Sequence, residues 1–357
     1  MQFTGNLLSK PTLLYEQNGL VLSVSRQADP QAVALLTQTL YGTDGIRYRQ
    51  TGQAHRIEQL ADPLFFQLFD GRQTLIGLYC LDKRPVGFRG EPVSAYYGRY
   101  LAVRADQQGK GFGRLLKATA VEYVQARQSA PYLFYSYIEA RNTRSMTTSQ
   151  RTGFTSVAQL STFLFRRFSP HPDRRVRPLR PDESALAHQL VADQYAQYGF
   201  QHFTHINAQR PFFVLEERGR VMAGVQASPI QWELVHLPGR LGSLLRHVAP
   251  HVPGLRRFFN PASQLFLTLE GVCLAPGRAD LLAPLLESVL AHHKMHTAMW
   301  QIDKRDPLRS LLTTPGMGPL SGFQPGVTTH VMTKTIGLPT SITLDRDPVY
   351  VSSFDYS

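Results

Sequence analysis

The sequence predicts a mixed α/β fold laid out twice along the chain, as two tandem domains that each carry a central mixed (α+β) sheet flanked by helices. Three observations predict it. Strand-like and helix-like stretches alternate through both halves. The segment Ser169-Pro170-His171-Pro172-Asp173 interrupts the pattern near its middle with helix- and strand-breaking residues. The length of 357 residues also exceeds the roughly 250 to 300 at which a single hydrophobic core stops growing.

The elements follow in order. Leu20 to Arg26 is extended, Asp29 stands at a helix N-cap position, and Ala32 to Leu40 carries apolar residues at helical spacing. Phe65 to Phe69 and Thr74 to Cys80 form a hairpin through Asp70-Gly71, a pair that favours positive φ in a tight turn. A longer strand spans Ser94 to Val103, followed by a helix from about Gly111 to Arg127, a buried strand from Tyr132 to Ile138, a helix from Thr143 to Arg151 and extended chain to Phe168. The second half restarts with Arg175 to Leu179 extended and a helix opened by Pro181 that runs to about Tyr198. A second hairpin, Phe212 to Glu216 with Val221 to Ala227, turns at Arg218-Gly219; a strand at Leu265 to Leu274 then precedes a helix at Leu281 to His292. Ile138-Glu139-Ala140-Arg141-Asn142 is echoed by Ile302-Asp303-Lys304-Arg305-Asp306, each after a long helix and a strand, so an internal duplication accounts for the order. The expected division is a lead at 1–19, a first domain at 20–168, a linker at 169–173, a second domain at 174–337 and a tail at 338–357, lying on the surface or against the other domain. Residues 228–263, rich in Pro, Gly and Arg, form an insertion in the second domain with an amphipathic helix around Leu241 to Val248.

Composition narrows the class. Hydrophobic residues at 43% and charged residues at 18% are globular values. The N-terminus lacks a basic flank followed by an apolar core, and no apolar run reaches the 18 or so residues that span a bilayer, so a cytoplasmic protein without membrane insertion is expected. Cys80 and Cys273 match no paired spacing and are expected as buried free thiols. The net charge of +12 suits an anionic partner and is uneven: up to Pro170 the chain holds 20 Lys and Arg against 11 Asp and Glu, and beyond it 18 against 15.

The basic half carries the informative motif. In Leu101-Ala102-Val103-Arg104-Ala105-Asp106-Gln107-Gln108-Gly109-Lys110-Gly111-Phe112-Gly113-Arg114, a strand ends in a glycine-rich loop that opens a helix. Such a junction aims backbone N–H groups and the positive end of the helix dipole at one spot, where an anion binds. Glycines remove the Cβ atoms that would hold a phosphate off the main chain, and Lys110 and Arg114 add charge. Gly111 follows Lys110 where a P-loop needs Ser or Thr, and Leu116 stands where the dinucleotide fingerprint needs its third glycine, so both of those motifs fail.

Gln108, Gly111 and Gly113 resemble the acyl-CoA loop of the GNAT superfamily, Gln or Arg, two residues, Gly, one residue, then Gly or Ala. Asn142, Ser145, Gly153 and Phe154 fit a second region of that family in the right order, and with flanking elements the resemblance covers residues 20 to 168. It implies two tandem GNAT-like domains, the first competent and the second degenerate. The implied activity is N-acyl transfer, with acetyl-CoA as cosubstrate and direct attack by a primary amine. The implied CoA contacts are Leu101, Ala102, Val103, Gln108, Gly109, Lys110, Gly111, Phe112, Gly113, Arg114 and Asn142, an amide near Leu101 to Val103 binding the thioester carbonyl. Many members place a general-acid Tyr where this chain has Ser149, which leaves Ser149 acting through a water, or Tyr135 or Tyr137, or no assigned acid. Glu139 and Tyr97 are the candidate bases.

The second half lacks the loop: Ala275-Pro276-Gly277-Arg278-Ala279-Asp280 has one glycine and a proline that removes an amide, so its expected role is to wall the acceptor cleft. His292, His293 and His296 lack a further ligand at matching spacing, and no metal is expected. The acceptor is a small-molecule or peptide amine. The other readings are a CoA-binding sensor or scaffold without catalysis and, below it, a basic nucleic-acid-binding module.

Overall fold

A computed structural model describes residues 10–356 apart from 43–44, 209, 240–241, 243–247, 249–250, 253–255, 257, 339–343 and 345. The first half contains β1 (Thr12–Gln17), β2 (Leu20–Ser25), α1 (Pro30–Gln38), β3 (Arg47–Gln50), α2 (Gln53–Glu58), β4 (Pro63–Asp70), β5 (Leu75–Phe88), β6 (Glu91–Val103), α3 (Phe112–Gln125), β7 (Tyr132–Glu139), α4 (Thr143–Arg151) and β8 (Thr155–Arg166). The second half contains β9 (Val176–Pro178), α5 (Ser184–Gln194), β10 (Phe200–Gln201), β11 (Phe212–Glu217), β12 (Arg220–His236), β13 (Gln264–Leu274), α6 (Leu282–His293), β14 (Thr297–Asp303) and β15 (Gly322–Ile336); a short α7 (Ser353–Tyr356) closes the tail.

Local chemistry accounts for most boundaries. Asp29 caps α1 by accepting from the Gln31 N–H at 2.8 Å, with Pro30 as the first helical residue. Arg218 and Gly219 both adopt positive φ, as expected of a two-residue hairpin turn. The β4–β5 turn is built differently from the expectation. Gly71 is not the left-handed residue; Gln73 is, at φ 62°, and the Asp70 carboxylate holds the loop by accepting from the Arg72 and Thr74 N–H groups, each at 2.9 Å. Asn18-Gly19, both at positive φ, makes a further hairpin that turns part of the expected N-terminal lead into β1. The helix begun at Ser184 stops at Gln194, four residues short of expectation. The start of the expected insertion, Ser228 to His236, continues β12, while most of its expected helix, 241–248, lies outside the described residues.

The two mixed sheets are fused. The order is β1-β2-β4-β5-β6-β7-β15-β8-β14-β13-β12-β11-β9, one continuous sheet in which β15 of the second half lies between β7 and β8 of the first. β8 pairs in turn with β14, so each half completes the other. Two smaller seams repeat the stitching: β10 pairs with β5, and β3 pairs with β12. The α3 face of the first half packs Tyr79, Tyr96, Leu116, Val121, Phe134 and Phe154 into one apolar cluster, and the second half has its own cluster around α5 and α6. Both cysteines are buried and free, and burial raises the Cys273 thiol to about 12.

The duplicated pentapeptide has a structural counterpart. After β7 the Asn142 N–H returns to the Glu139 carbonyl at 2.8 Å, and after β14 the Asp306 N–H returns to Asp303 at 3.0 Å. Each polar side chain then caps the succeeding turn: Asn142 accepts from Ser145 N–H and Asp306 from Leu308 N–H.

Candidate active site

The glycine loop has the geometry of an anion cradle. A single turn at Ala105–Gln107 ends β6, Gly109 and Gly111 adopt φ of 83° and 85°, and α3 begins at Phe112. Among the described residues, no atom beyond the adjoining residues lies within 4 Å of where a Cβ on either glycine would stand, so the space beside both is open. The first intrahelical bond runs from Leu115 N–H to Gly111 at 3.0 Å, which leaves the N–H groups of Phe112, Gly113 and Arg114 without a helical acceptor, and Gly111 supplies no side-chain cap. Lys110 and Arg114 are exposed around this opening. Gln108 braces the loop: its amide donates to the Val103 carbonyl at 3.1 Å and accepts from Arg144 at 3.3 Å, which ties the loop to the end of β6 and to α4.

Behind the cradle the sheet opens. β6 and β7 run parallel and pair only from Ser94–Tyr132 to Tyr97–Tyr135. From Gly98 onward β6 has no partner on that side, so a wedge separates it from the rest of β7. At the wedge β6 also bulges. Arg99 pairs with Cys80 and Ala102 with Leu78, leaving Tyr100, at φ 57°, and Leu101 opposite the single residue Tyr79. A bulge leaves its extra residue out of the ladder, and that frees backbone here to face the wedge.

On the α3 side of the wedge lies a buried amine. Lys117 is 2% exposed, and its Nζ donates to Ser149 Oγ at 2.6 Å. It sits 3.9 Å from the centre of the Phe154 ring and 5.9 Å from that of Tyr79. Burial lowers its pKa to about 7. Ser149 therefore meets a lysine where sequence reasoning allowed for a water.

On the opposite face the C-terminal tail is driven between the halves. Asp355 accepts from Arg84 at 2.8 Å, while Arg84 also donates to Asp82 at 2.5 Å; His202 Nε2 lies 3.1 Å from the second Asp355 oxygen. Burial works against the Asp355 carboxylate, but Arg84 and His202 outweigh it and hold the group well below the usual carboxylate range. Next to this network a cavity of about 240 Å³ opens between the halves, lined by Arg56, His205, Gln226, Trp232, Glu270 and Phe354 among others. Glu270 is 1% exposed and accepts from the Tyr350 hydroxyl and from the Ser353 N–H and hydroxyl. Burial raises its pKa against those hydrogen bonds, and burial lowers that of His205 to about 3. Phe354 joins cavity to bulge: Arg56 lies 5.5 Å from its ring centre and Arg99, which also covers Tyr100, lies 5.0 Å from it.

The other expected site residues fall into place around these features. Glu139 ends β7 and interacts with Tyr48, which stacks at 3.8 Å on Trp232 of the cavity wall. Tyr97 donates its hydroxyl to the Asp355 carbonyl at 2.6 Å, and burial pushes its pKa up, so its proton is held and the base role expected of it has no physical support. Tyr137 is partly buried, with its pKa likewise raised by burial, and Tyr135 faces His202 and Asp355. Asn142 spends its carbonyl oxygen on capping α4. His292 and His293 pack against Phe213, while His296 Nδ1 lies 3.2 Å from the Arg167 carbonyl; among the described residues no cluster has the makings of a metal site. Lys117, Arg84, His202, Glu270 and Asp355 escaped sequence reasoning. Lys117 alone left a local trace, as a charged residue on the apolar face of its helix.

The second half's counterpart loop is occupied by its own charges. Arg278 binds Glu217 and Asp280 at 2.7 and 3.0 Å beside the start of α6, so carboxylates stand where a phosphate would need cations.

Comparison with known proteins agrees with this layout. Residues 34–154 match the acetyltransferase (GNAT) family. A search of curated proteins found no match. Among solved structures, N-myristoyltransferase of Saccharomyces cerevisiae with bound myristoyl-CoA superposes with a TM-score of 0.59 at 12% identity, covering 96% of this chain and 91% of that one. A second structure of that yeast enzyme gives 0.61 at 12%, covering 96% and 87%. A GCN5-related N-acetyltransferase from Anabaena variabilis gives 0.51 at 11%, covering 87% and 72%. Wedge, cradle and fold agree with that match: residues 34–154 form a GNAT family domain, set in a two-half fold similar to that of the yeast enzyme. Family and fold support acyl transfer from an acyl-CoA. No helix of the described residues is long and apolar enough to cross a membrane.

Proposed function

We propose that the protein is an N-acyltransferase that moves an acyl group, acetyl in the simplest case, from acyl-CoA directly to a primary amine held between the two halves. The observation that carries this is a coincidence in space. The open amide cradle at the start of α3 and the bulged, unpaired stretch of β6 form one continuous track, and the cavity under Phe354 lies against the other side of the same bulge. Phosphates on the first-turn amides and Lys110 would lead a thioester along β6 to the wedge, where a bulge amide between Tyr100 and Val103 would hold the carbonyl oxygen as charge develops on it. The ring contacts among Tyr97, Tyr135 and the partly buried Tyr137 crowd the wedge and favour a short acyl chain.

Glu139 is the proposed base for the acceptor amine. Glu270, a buried carboxylate in the cavity wall, is the proposed counter-charge that receives the amine while it is still protonated. We assign the cofactor only to the first domain, 20–168 completed by β15, and the remaining domain, 174–337, walls the acceptor. The test is release of free CoA thiol with acyl donors from acetyl to myristoyl against a panel of primary amines and amine-bearing peptides. Amine-dependent release, fastest with short chains, is expected. Tight acyl-CoA binding with no release for any amine would replace the enzyme by a CoA-binding sensor.

A further inference from the structure

We propose that Lys117 is the proton donor to the departing sulfur, an assignment that rests on the acyl-transfer function above. The position of the ammonium is the first ground for it. Its helix partner in space, Ser149, supplies a single oxygen at 2.6 Å. A lysine ammonium has three donors, one goes to Ser149, and Nζ lies close over the face of Phe154. Among the described residues no carboxylate forms an ion pair with it. A cation taken out of water without a countercharge is costly, and a leucine or methionine at this point of the apolar α3 face would avoid that cost. A buried amine here has a chemical use or it is a liability.

Its surroundings fix that use. Tyr79, one of the two rings beside Nζ, reaches from β5 onto Gly98 of β6, where a Cβ would collide with the Tyr79 hydroxyl. Phe154, the other, packs on Phe134 of β7 at 6.2 Å. Nζ is therefore slung between the two strands at the level where their pairing ends, Gly98 being the first β6 residue past the last paired one. The elements around it add few charges. Tyr79 of β5 and Ser149 of α4 face it; Lys334 of β15 reaches only the Thr152 carbonyl; Arg114 and Glu122 on its own helix, and Arg144 and Arg151 on α4, are exposed. Arg99 of β6 is engaged on the opposite face with Tyr97 and Tyr100. Burial alone lowers the lysine to about 7, which poises it to give up a proton near neutrality.

The step balances. The acceptor ammonium first yields one proton to solvent through Glu139; the neutral nitrogen then bonds to the carbonyl carbon and gives a second proton to Glu139; the carbon–sulfur bond breaks with its electron pair on sulfur; Nζ passes one proton to that sulfur, and the neutral lysine regains a proton from water after the thiol leaves.

The experiment compares the parent with Lys117→Met, Lys117→Arg and Ser149→Ala. Lys117→Met fills the same apolar space without the amine, and its kcat should fall on the order of 10²-fold with acyl-CoA affinity within a factor of about 3. The acid must be protonated, so activity falls as pH rises through the lysine pKa. Ser149→Ala removes the one oxygen among the described residues that accepts from the ammonium, and that limb should move to lower pH; Lys117→Arg should move it to higher pH. A readout independent of turnover is the ultraviolet absorbance of the thiolate of bound CoA, which should appear at lower pH in the parent than in Lys117→Met, because the ammonium stabilises the anion. A Lys117→Met protein, or a Ser149→Ala protein should the former not fold, with unchanged kcat, pH profile and thiolate titration in an active parent overturns this assignment and leaves the acyltransferase intact. A parent that turns over no amine overturns both.

Discussion

Asp355→Asn tests the buried tail contact that closes the cleft between the halves. The carboxylate lies 2.8 Å from Arg84 and 3.1 Å from His202, and neither it nor Arg84 has more than about 1% of its side chain exposed. At an effective dielectric constant of about 20, unit charges at the Arg84 distance attract by about 6 kcal/mol, before the opposing cost of burying the carboxylate. Breaking one partner of a buried pair costs about 3 to 5 kcal/mol. Arg84 keeps Asp82 at 2.5 Å, so the low end, about 3 kcal/mol, is expected. At roughly 2 to 4 °C per kcal/mol for a large domain, thermal unfolding should drop by about 6 to 12 °C. The tail should also become cleavable, because its backbone bonds from Gly199 to Pro348 and from Tyr350 to Phe200 would open more often. Phe354 and Ser353 line the cavity, so acceptor KM should rise while acyl-CoA affinity holds. The stability gained from Asp355 is present above its unfolded value of about 3.9 and lost as pH falls toward its depressed folded value. The parent should therefore lose its advantage over the mutant only in acid. Differential scanning fluorimetry across pH with limited proteolysis is the assay. An Asp355→Asn protein with parental melting and protease resistance at neutral pH would refute the view that this ion pair anchors the tail.

Three further outcomes are expected from the geometry. Gly111→Val puts a branched side chain at φ 85° and into the open cradle, so a folded mutant should bind acyl-CoA at least about tenfold more weakly by calorimetry; unchanged affinity would mean that the phosphates bind elsewhere. A chain ending at Pro170 lacks β15 and would expose the facing edges of β7 and β8, so it should be insoluble, and adding 322–336 as a peptide should recover some of it; a soluble, acyl-CoA-binding fragment alone would contradict the shared sheet. Glu270 must be ionised to hold a protonated amine and burial raises its pKa, so acceptor KM in the parent should climb as pH falls through that raised value and become flat in Glu270→Gln; parallel profiles would remove Glu270 from acceptor binding.

Local chemistry could be foreseen from sequence. A strand end, three glycines at fixed spacing and a helix start occupy the stretch Leu101 to Gly113, and backbone conformation there depends on neighbours in sequence, so the cradle was legible. The same holds for the Asp29 cap and the Arg218-Gly219 turn. The Asp70-Gly71 turn failed for a reason just as local: Asp70 accepts two amides with its side chain, which moves the left-handed residue on to Gln73. Tyr97 ends the β6–β7 pairing, but its partner is a carbonyl contributed 258 positions later, and no pattern around residue 97 announces it.

The exchange of β8 and β15 explains why the tail was the hardest part to foresee. With the last long strand of the second half lying between β7 and β8, Val349 bridges to Phe200 of β10, and Val349, Tyr350 and Val351 are buried. There the tail meets groups drawn from both halves, Arg84 and Tyr97 from one and His202 and Glu270 from the other. A sequence of two self-contained repeats gives the tail no such destination, so the sequence pointed only to the surface or to a contact with the other domain. The shared sheet thus does more than join the two halves. It makes the cavity wall a composite of α2, β12, β13 and the last residues, so under the proposed acceptor role substitutions in α2, β13 or the last residues should alter acceptor affinity together while leaving the cradle at Gly109 to Gly113 untouched.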